Sequence, residues 1–440
     1  MSAHRRREVL GLALPILGGM TSQNLLNLVD AWMVGALGPA ALAATGMGGF
    51  LNFMAVAAII GFSPAVQAIA ARRIGEGRND EVAAPLNGGL LLSLLLGVPI
   101  SVVLIAAAPA IFGLLIDDPA VVSEGTPYLQ WRLVAVAAVG MNFSFRGYWS
   151  AVKLTRMYMR TLISMHVLNV AFSYTLIHGL FGLPQMGTAG AGLGTTLAVF
   201  AGTLMYLWQG LRHARGGGFL QRMPTPEQFT GLLRLGLPSS VQQLLFSSGF
   251  AALFWIIGQV GTDELAVANV LVTITLTAIL PGIALGIAAA TLAGQALGRN
   301  QADDAYRWAW DTYRVGAWIF GALAVVMLLL TDPVLALFLR DPELVALGRV
   351  PLRLIGAGIL LDGLGLIMMQ ALLGVGASAF VMIVASGLQW LVFLPAAWLL
   401  GPGLGLGLQA IWIAMMSYRL LQAALFVRAW RQRAWVRIRV

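Results

Sequence analysis

The chain consists of long apolar stretches separated by short polar breaks. The apolar residues run continuously instead of alternating, which favours helices over the strands of a barrel. Cuts at charged or Gly/Pro-rich breaks give segments that are each long enough to cross a hydrocarbon core of roughly 30 Å. The pattern therefore predicts an all-α membrane protein with twelve transmembrane helices, at about 9–36, 44–71, 84–113, 122–148, 158–181, 187–211, 231–258, 265–294, 307–331, 342–372, 377–400 and 405–430.

Composition supports the same environment. The 440 residues are 59% hydrophobic and 10% charged, whereas a soluble domain carries about 25% charged residues. So apolar a chain could not cover its surface with polar groups in water, and in lipid its backbone groups must be satisfied within helices. The absence of cysteine excludes disulfides, thiolate metal sites and cysteine nucleophiles.

The charges between the segments predict the orientation. Alternate loops and both ends carry cations, while the loops between them carry mostly acids or no charge; the cations include Arg5, Arg6, Arg7, Arg72, Arg73, Arg78, Lys153, Arg156, Arg160, Arg212, Arg215, Arg222, Arg299, Arg307, Arg428, Arg431, Arg433, Arg437 and Arg439. Only Arg340 and Arg349 break the pattern, and Asp332 lies close by. Because Lys and Arg stay on the cytoplasmic side, we expect a multi-pass protein of the bacterial cytoplasmic (inner) membrane with both termini cytoplasmic. The net charge of +9 then reflects topology, and we expect no nucleic-acid partner.

An internal repeat divides the chain into two halves. At a constant offset of 223 residues and without gaps, Pro15 matches Pro238. The motif around Trp32 and Gly35 matches that around Trp255 and Gly258 at the same offset. We therefore predict an N-lobe at 1–211, a cytoplasmic inter-lobe linker at 212–230 and a C-lobe at 231–440. Six spans in each half give the lobes the same orientation, as in parallel repeats, with a substrate site near the membrane midplane.

Two acids lie deep within predicted spans, in contrast to the other sixteen of the eighteen: Asp30 in the first and Asp362 in the tenth. An intramembrane carboxylate is costly and usually faces the protein interior or water, where it marks an ion or proton pathway. The repeat aligns Asp362 with Val139 and Asp30 with Leu253, so neither acid has an acidic counterpart in the other half. The alternative for each is a neutral, hydrogen-bonded structural role.

Asp30 has polar neighbours at helical spacing. Gln23 and Asn27 share its face of the helix, and Asn24 is slightly offset. We predict that Asp30, Asn27 and Gln23 couple transport to a proton or cation, although amides can equally serve as packing groups. Pro15 and Pro238 remove a backbone hydrogen bond within the first helix of each half and permit a bend there.

Weaker candidates for a substrate cavity lie elsewhere in the spans. Asn169 and Ser173 are four residues apart on one face, and the position of His166, near a span end, is typical of an interfacial residue. With Asp362, the predicted cavity residues are Asn24, Asn142, Asn169, Ser173 and Thr188. The sequence lacks a phosphate-binding loop, HExxH and GxSxG, and its four histidines are not clustered. We expect no enzyme activity, no metal site and no cofactor, with an ion gradient as the energy source.

These features resemble the multidrug and toxic compound extrusion (MATE) family over nearly the whole chain. The resemblance lies in the LxLP opening of each half, the first-span pattern NLLNLVDAWMVGALGPAALAATG and the stretch FRGYWSAVKLTRMYMR. The DinF-like branch is the most similar, since Asp30 follows the kink proline by fifteen residues, as that branch's proposed protonation site does. Ser173 occupies the position where that branch usually has an Asp. The NorM branch has a Glu in the seventh span near the position of Phe246, and this Glu is missing here.

The resemblance implies a monomeric secondary transporter in contact with membrane lipid, exporting amphipathic, often cationic organic compounds by alternating access. Protonation of Asp30 would rearrange Asn27 and Gln23 and bend the helix at Pro15. Sodium coupling stays open, because one carboxylate with amide neighbours suits either ion. The residues also leave open a lipid-linked precursor flippase, which would require a strongly cationic cavity, and a non-transporting membrane receptor.

Overall fold

A computed structural model describes residues 1–221 and 224–438 of the chain. Arg222 and Arg439, two of the loop cations named above, lie outside these residues. All regular structure in the described residues is helical, with α-helices joined by short 3₁₀ and π segments. The predicted all-α class is confirmed.

Eight α-helices form the N-terminal half of the described chain. Short breaks at Gly61 and Ala135 divide two of the spans, so that eight helices make six membrane-crossing segments. The helices are α1 Ala3–Gly35, α2 Pro39–Ile60, α3 Phe62–Gly75, α4 Ala84–Leu115, α5 Pro119–Val134, α6 Val136–Ala151, α7 Thr155–His178 and α8 Gly187–His213. Short 3₁₀ turns lie at Asn79–Glu81, Leu180–Gly182 and Arg215–Gly217.

The C-terminal half repeats this order. Its helices are α9 Pro226–Gly258, α10 Thr262–Ala278, α11 Leu280–Gly298, α12 Ala302–Leu329, α13 Thr331–Ala336, α14 Pro342–Gly374, α15 Ser378–Gly387, α16 Leu394–Trp398 and α17 Gly407–Gln432. Two π segments, Leu388–Phe393 and Leu399–Gly403, continue α15 and α16 into one span, and a 3₁₀ turn at Ala434–Arg437 follows α17.

The helix ends reproduce the repeat found in the sequence. Helix α9 begins and ends at the positions that the repeat aligns with the two ends of α1, and α14 does the same for the α5–α6 pair. Within the described residues, ten segments are long and apolar enough to cross a membrane. The α5–α6 pair and α7 complete the predicted twelve, since they occupy the fourth and fifth places in the order.

The first helix of each half starts earlier than the hydrophobic pattern predicts. Helix α1 begins at Ala3 and α9 at Pro226, within stretches whose composition is typical of a polar loop. Ion pairs satisfy the polar start of α1: the Arg5 guanidinium donates to Asp304 at 2.5 Å and to Asp311 at 2.6 Å. Charged residues therefore belong to this helix because acids on α12 compensate them.

The chain divides into two compact units near the two helix prolines. One unit combines Met1–Leu14 with the chain from Val241 onwards, and the other is Pro15–Ser240. The start of α1 thus belongs to the unit of the C-terminal half, and the start of α9 to the unit of the N-terminal half. Pro15 and Pro238 lie at or close to these boundaries, where each lacks a backbone N–H for its helix.

Close helix contacts hold each unit together. In the first half a Cβ on Gly194 of α8 would come within 2.5 Å of Ser173 on α7, and in the second a Cβ on Gly374 would approach Ala290 equally closely. Small residues allow helix backbones to approach in this way.

One of the two cations that break the charge pattern, Arg349, is paired: its Nε and Nη2 atoms each donate to Asp332 at 2.8 Å. This hydrogen-bonded guanidinium lowers the pKa of the Asp332 carboxyl below its usual value.

Candidate functional site

Asp30 lies on α1 in the Pro15–Ser240 unit, half-buried near the extracytoplasmic end predicted from the loop charges. The apolar residues that follow it, Met33 and Val34, pack against Tyr128, Ile177 and Ala191. Its Oδ1 atom is buried and has no hydrogen-bond partner in the described part of the chain. Buried polar atoms in native proteins are nearly always paired, so an unpaired carboxylate oxygen calls for a functional explanation.

Arg132 supplies the opposite charge that acts on Asp30. It lies in the last turn of α5, just before the break at Ala135. Its guanidinium also contacts Tyr128, with 3.4 Å between Nη1 and the phenol oxygen. Sequence reasoning missed Arg132, although it lies well inside the predicted span at 122–148, because only the packing of α5 within this unit relates it to Asp30.

Gln23 and Asn27 form part of a polar network that extends to α7. The Gln23 amide donates to Asn27 Oδ1 at 3.1 Å, and Gln23 Oε1 lies 3.0 Å from His166 Nε2. The other ring nitrogen of His166 lies 2.9 Å from Ser22 Oγ. The interfacial interpretation of His166 is wrong, because its ring is buried between α1 and α7. Of the three predicted coupling residues, two are therefore bonded to each other, and Asp30 stands apart from their hydrogen bonds.

Most of the predicted cavity residues of the N-terminal half join helices to each other. Asn169 donates to Thr195 Oγ1 at 3.0 Å and accepts from Ser173 at 3.1 Å. Asn142 accepts from Thr203 at 2.9 Å. These side chains are buried in contacts of α6 and α7 with α8, so their hydrogen-bonding capacity is already engaged in packing.

Thr188 and Asn24 complete the predicted set in this half. The Thr188 hydroxyl lies 2.5 Å from Glu124 Oε2 and 2.9 Å from the Glu124 carbonyl oxygen, which ties the start of α8 to α5. Asn24 is half-buried and Asn27 is exposed on α1. The two amides thus keep accessible surface, whereas Thr188 is buried.

Asp362 has a partner that the sequence did not predict. Arg419 of α17 donates two hydrogen bonds to the carboxylate, from Nε to Oδ1 at 2.9 Å and from Nη2 to Oδ2 at 2.7 Å. Both side chains are nearly buried, at 9% exposure for Arg419 and 13% for Asp362. The two residues are 57 positions apart, so no spacing rule could have linked them.

The two deep acids therefore offer different chemistry. Asp30 has an unpaired oxygen that can accept a proton, a small cation or a donor group of a ligand. The carboxylate of Asp362 is already neutralised in a bidentate ion pair. Gln23 and Asn27, on the preceding turns of α1, are bonded to each other, and Gln23 also contacts His166 of α7.

Comparison with protein-family models finds one family, described as MatE, which matches residues 15–175 and again residues 238–399. Among curated proteins, a probable multidrug resistance protein NorM of Bradyrhizobium diazoefficiens is 29% identical over 97% of this chain and 93% of that protein. A protein of the same description from Thermotoga maritima is 25% identical over 94% of this chain and 89% of its own length. The two family matches begin at Pro15 and Pro238, in agreement with the internal repeat.

Solved structures support the fold. An outward-facing multidrug resistance MATE family transporter superposes with a TM-score of 0.90 at 22% identity, over 99% of this chain and 97% of that one. A MOP superfamily transporter from Pyrococcus furiosus gives a TM-score of 0.89, also at 22% identity, over 98% of this chain and 96% of that one. The predicted arrangement of two homologous six-helix lobes is confirmed. The assignment to the DinF-like branch stays a prediction.

Proposed function

Because the chain belongs to the MatE family, we propose that it is a multidrug efflux transporter that exchanges protons for amphipathic, often cationic organic compounds. It is a multi-pass membrane protein, and curated relatives that match it over most of their length are described as probable multidrug resistance proteins. The observation that carries the ion coupling is the buried, unpaired oxygen of Asp30.

Asp30 provides a site at which a proton and a cationic substrate compete. The unpaired oxygen of its carboxylate takes a proton in one state and faces the substrate's positive charge in the other. The positive charge of Arg132 acts on the same carboxylate and balances its negative charge once the proton has left. Exchange at this one group would couple export of the compound to proton entry.

The first helix connects this exchange to a change of conformation. Residues before Pro15 belong to one compact unit and residues after it to the other. A change of packing around Asp30 can therefore alter the course of α1 at Pro15, where the backbone hydrogen bond is missing. Alternation between inward-open and outward-open states follows the general pattern of transporters with parallel repeats.

Sodium coupling is the second candidate. The buried carboxylate oxygen of Asp30 is a hard ligand of the kind that a small cation prefers. A flippase for lipid-linked precursors would need an excess of cations around its cavity, whereas Arg419 is neutralised by Asp362. The transport assay described next distinguishes a receptor from a transporter, because a receptor would bind the compound without moving it across the membrane.

The test uses the full chain reconstituted in proteoliposomes with a fluorescent lipophilic cation such as ethidium. Uptake is measured with a pH gradient alone, with a sodium gradient alone and with neither. We expect uptake to follow the pH gradient, and Asp30→Asn to lower the gradient-driven part by at least about tenfold, because a side-chain amide cannot take up and release the coupled proton.

Asp117→Asn is the matched control. Asp117 is an exposed carboxylate of the same half, and its loss is expected to leave the response to the gradient unchanged. Transport by Asp30→Asn at the wild-type rate would exclude coupling through Asp30. Uptake that follows only the sodium gradient would replace the proton by sodium as the coupling ion.

A further inference from the structure

The ion pair between Asp362 and Arg419 belongs to the C-terminal half alone. The repeat aligns Asp362 with Val139 and Arg419 with Thr196, so both positions are uncharged in the first half. The same fold is thus built once without the pair. Replacing a buried ion pair by apolar residues is commonly neutral or stabilising, so the scaffold does not require these two charges.

Arg419 occupies the edge of the Asp362 carboxylate that faces α17. Arg419 meets both oxygens of Asp362 through two parallel N–H donors, at 2.9 and 2.7 Å. This is the bidentate arrangement in which a guanidinium matches a carboxylate most closely. A free cation that approached Asp362 from the side of α17 would first have to displace Arg419.

Asp362 also lines a small pocket that is otherwise nearly apolar. Its neighbours there include Ala278, Ile279 and Met416. Thr275, the other polar residue of the lining, donates its hydroxyl to the carbonyl of Leu271 at 2.7 Å. The Asp362 carboxylate is therefore the group in this pocket that would attract a positive charge, and Arg419 already supplies one.

We propose that Arg419 is a tethered cation that occupies Asp362 in place of a free one, so that the C-terminal half takes no part in ion coupling. The second clause rests on the proposed function, whereas the occupancy of Asp362 does not. Arg419 then determines ion specificity: it closes a cation site that the carboxylate and its pocket would otherwise form.

The first experiment measures cation binding without transport. The full-length protein in detergent is compared as wild type, as Arg419→Ala and as the double variant Arg419→Ala with Asp362→Asn. Thermal unfolding is followed while Na⁺ or methylguanidinium replaces choline at constant ionic strength. We expect a saturable rise of about 2 °C or more for Arg419→Ala, since a cation that binds only the folded state stabilises it.

Wild type and the double variant are expected to respond equally and less than Arg419→Ala, because a cation bound at Asp30 contributes the same rise in all three proteins. A rise in the double variant equal to that in Arg419→Ala would overturn the proposal, because it would not depend on the carboxylate. Equal responses of wild type and Arg419→Ala, or no response in any of the three, would overturn it as well.

The second experiment keeps the proposal testable if Arg419→Ala does not fold. The double variant Asp362→Asn with Arg419→Gln removes both charges at nearly constant size. Its ratio of uptake with and without a pH gradient is measured in proteoliposomes and is expected to equal the wild-type ratio. A ratio that falls to one in a folded double variant would contradict the exclusion of the C-terminal half. If wild type itself has a ratio of one, the proposed proton coupling fails, while the binding result stands independently.

Discussion

The two halves of the protein share one fold and each contains one deep acid, but the hydrogen bonding of the two acids differs. Asp30 of the first half keeps a buried oxygen that has no hydrogen-bond partner among the residues the structure describes. Asp362 of the second half is held by two bonds from Arg419. The repeat maintains the helices, whose ends fall at matching positions, while the charged groups differ. In a duplicated transporter the scaffold and the ion chemistry can thus evolve separately.

A second pair of positions carries the same lesson. His166 aligns with Gln389, and Gln23 aligns with Phe246. In the first half, His166 contacts the side chain of Gln23 at 3.0 Å. In the second, the Gln389 amide donates to the backbone carbonyl of Phe246, at 3.4 Å. The contact between the same two helices is retained, but only the first half makes it from two polar side chains.

The largest effect on the free energy of unfolding is expected when Asp362, the deep acid of the second half, is replaced. Asp362→Leu leaves Arg419 buried and uncompensated, which should lower the free energy of unfolding by about 3–5 kcal/mol. Asp30→Leu removes an unpaired carboxylate and should change it by less than about 1 kcal/mol. Equilibrium unfolding in mixed micelles measures both. Equal losses in the two variants would show that Asp30 is as fully paired as Asp362.

A smaller effect is expected where the two halves use His166 and Gln389. His166→Ala removes the ring that contacts both Gln23 and Ser22, which should cost about 1–2 kcal/mol of unfolding free energy. Gln389→Ala loses one long bond to a backbone carbonyl and should cost less. The same unfolding assay ranks the two variants, and a greater loss for Gln389→Ala would reverse the ranking proposed for the two contacts.

The smallest effect concerns the helix starts that belong to the opposite unit. Arg5 aligns with Gln228, and Asp304 aligns with Glu81; Arg5 binds Asp304 as Gln228 binds Glu81, at 2.5 and 3.4 Å. Arg5→Ala should cost about 1 kcal/mol, because Arg5 and Asp304 are partly exposed and the buried Asp311 keeps Arg314 as a partner, and Gln228→Ala should cost only a few tenths. Amide hydrogen exchange at the start of α1 and of α9 measures the local opening, and faster exchange in Gln228→Ala than in Arg5→Ala would contradict the ranking.

The sequence predicted the features that depend on local pattern and failed on those that depend on which helices touch. Hydropathy and the repeat predicted twelve spans and two lobes, because each span must be apolar by itself. The start of α1 at Ala3 escaped prediction, since Arg5 is compatible with a helix only through acids on α12.

The candidate site was predictable to a similar degree. Asp30 stands out by depth alone, whereas the pairing of Asp362 with Arg419 and the contact of His166 with Gln23 join residues on different helices. One sequence carries no direct information on such long-range contacts. For the same reason Asn169 and Ser173 looked like cavity residues, although their hydrogen bonds are made within the packing of α7 and α8.

The central claim is that coupling resides at Asp30, and the most direct measurement is proton release on substrate binding. Purified protein in weakly buffered detergent solution is titrated with ethidium while a pH indicator follows released protons and fluorescence follows binding. We expect proton release by wild type and none by Asp30→Asn that still binds ethidium. Undiminished proton release by Asp30→Asn would contradict it.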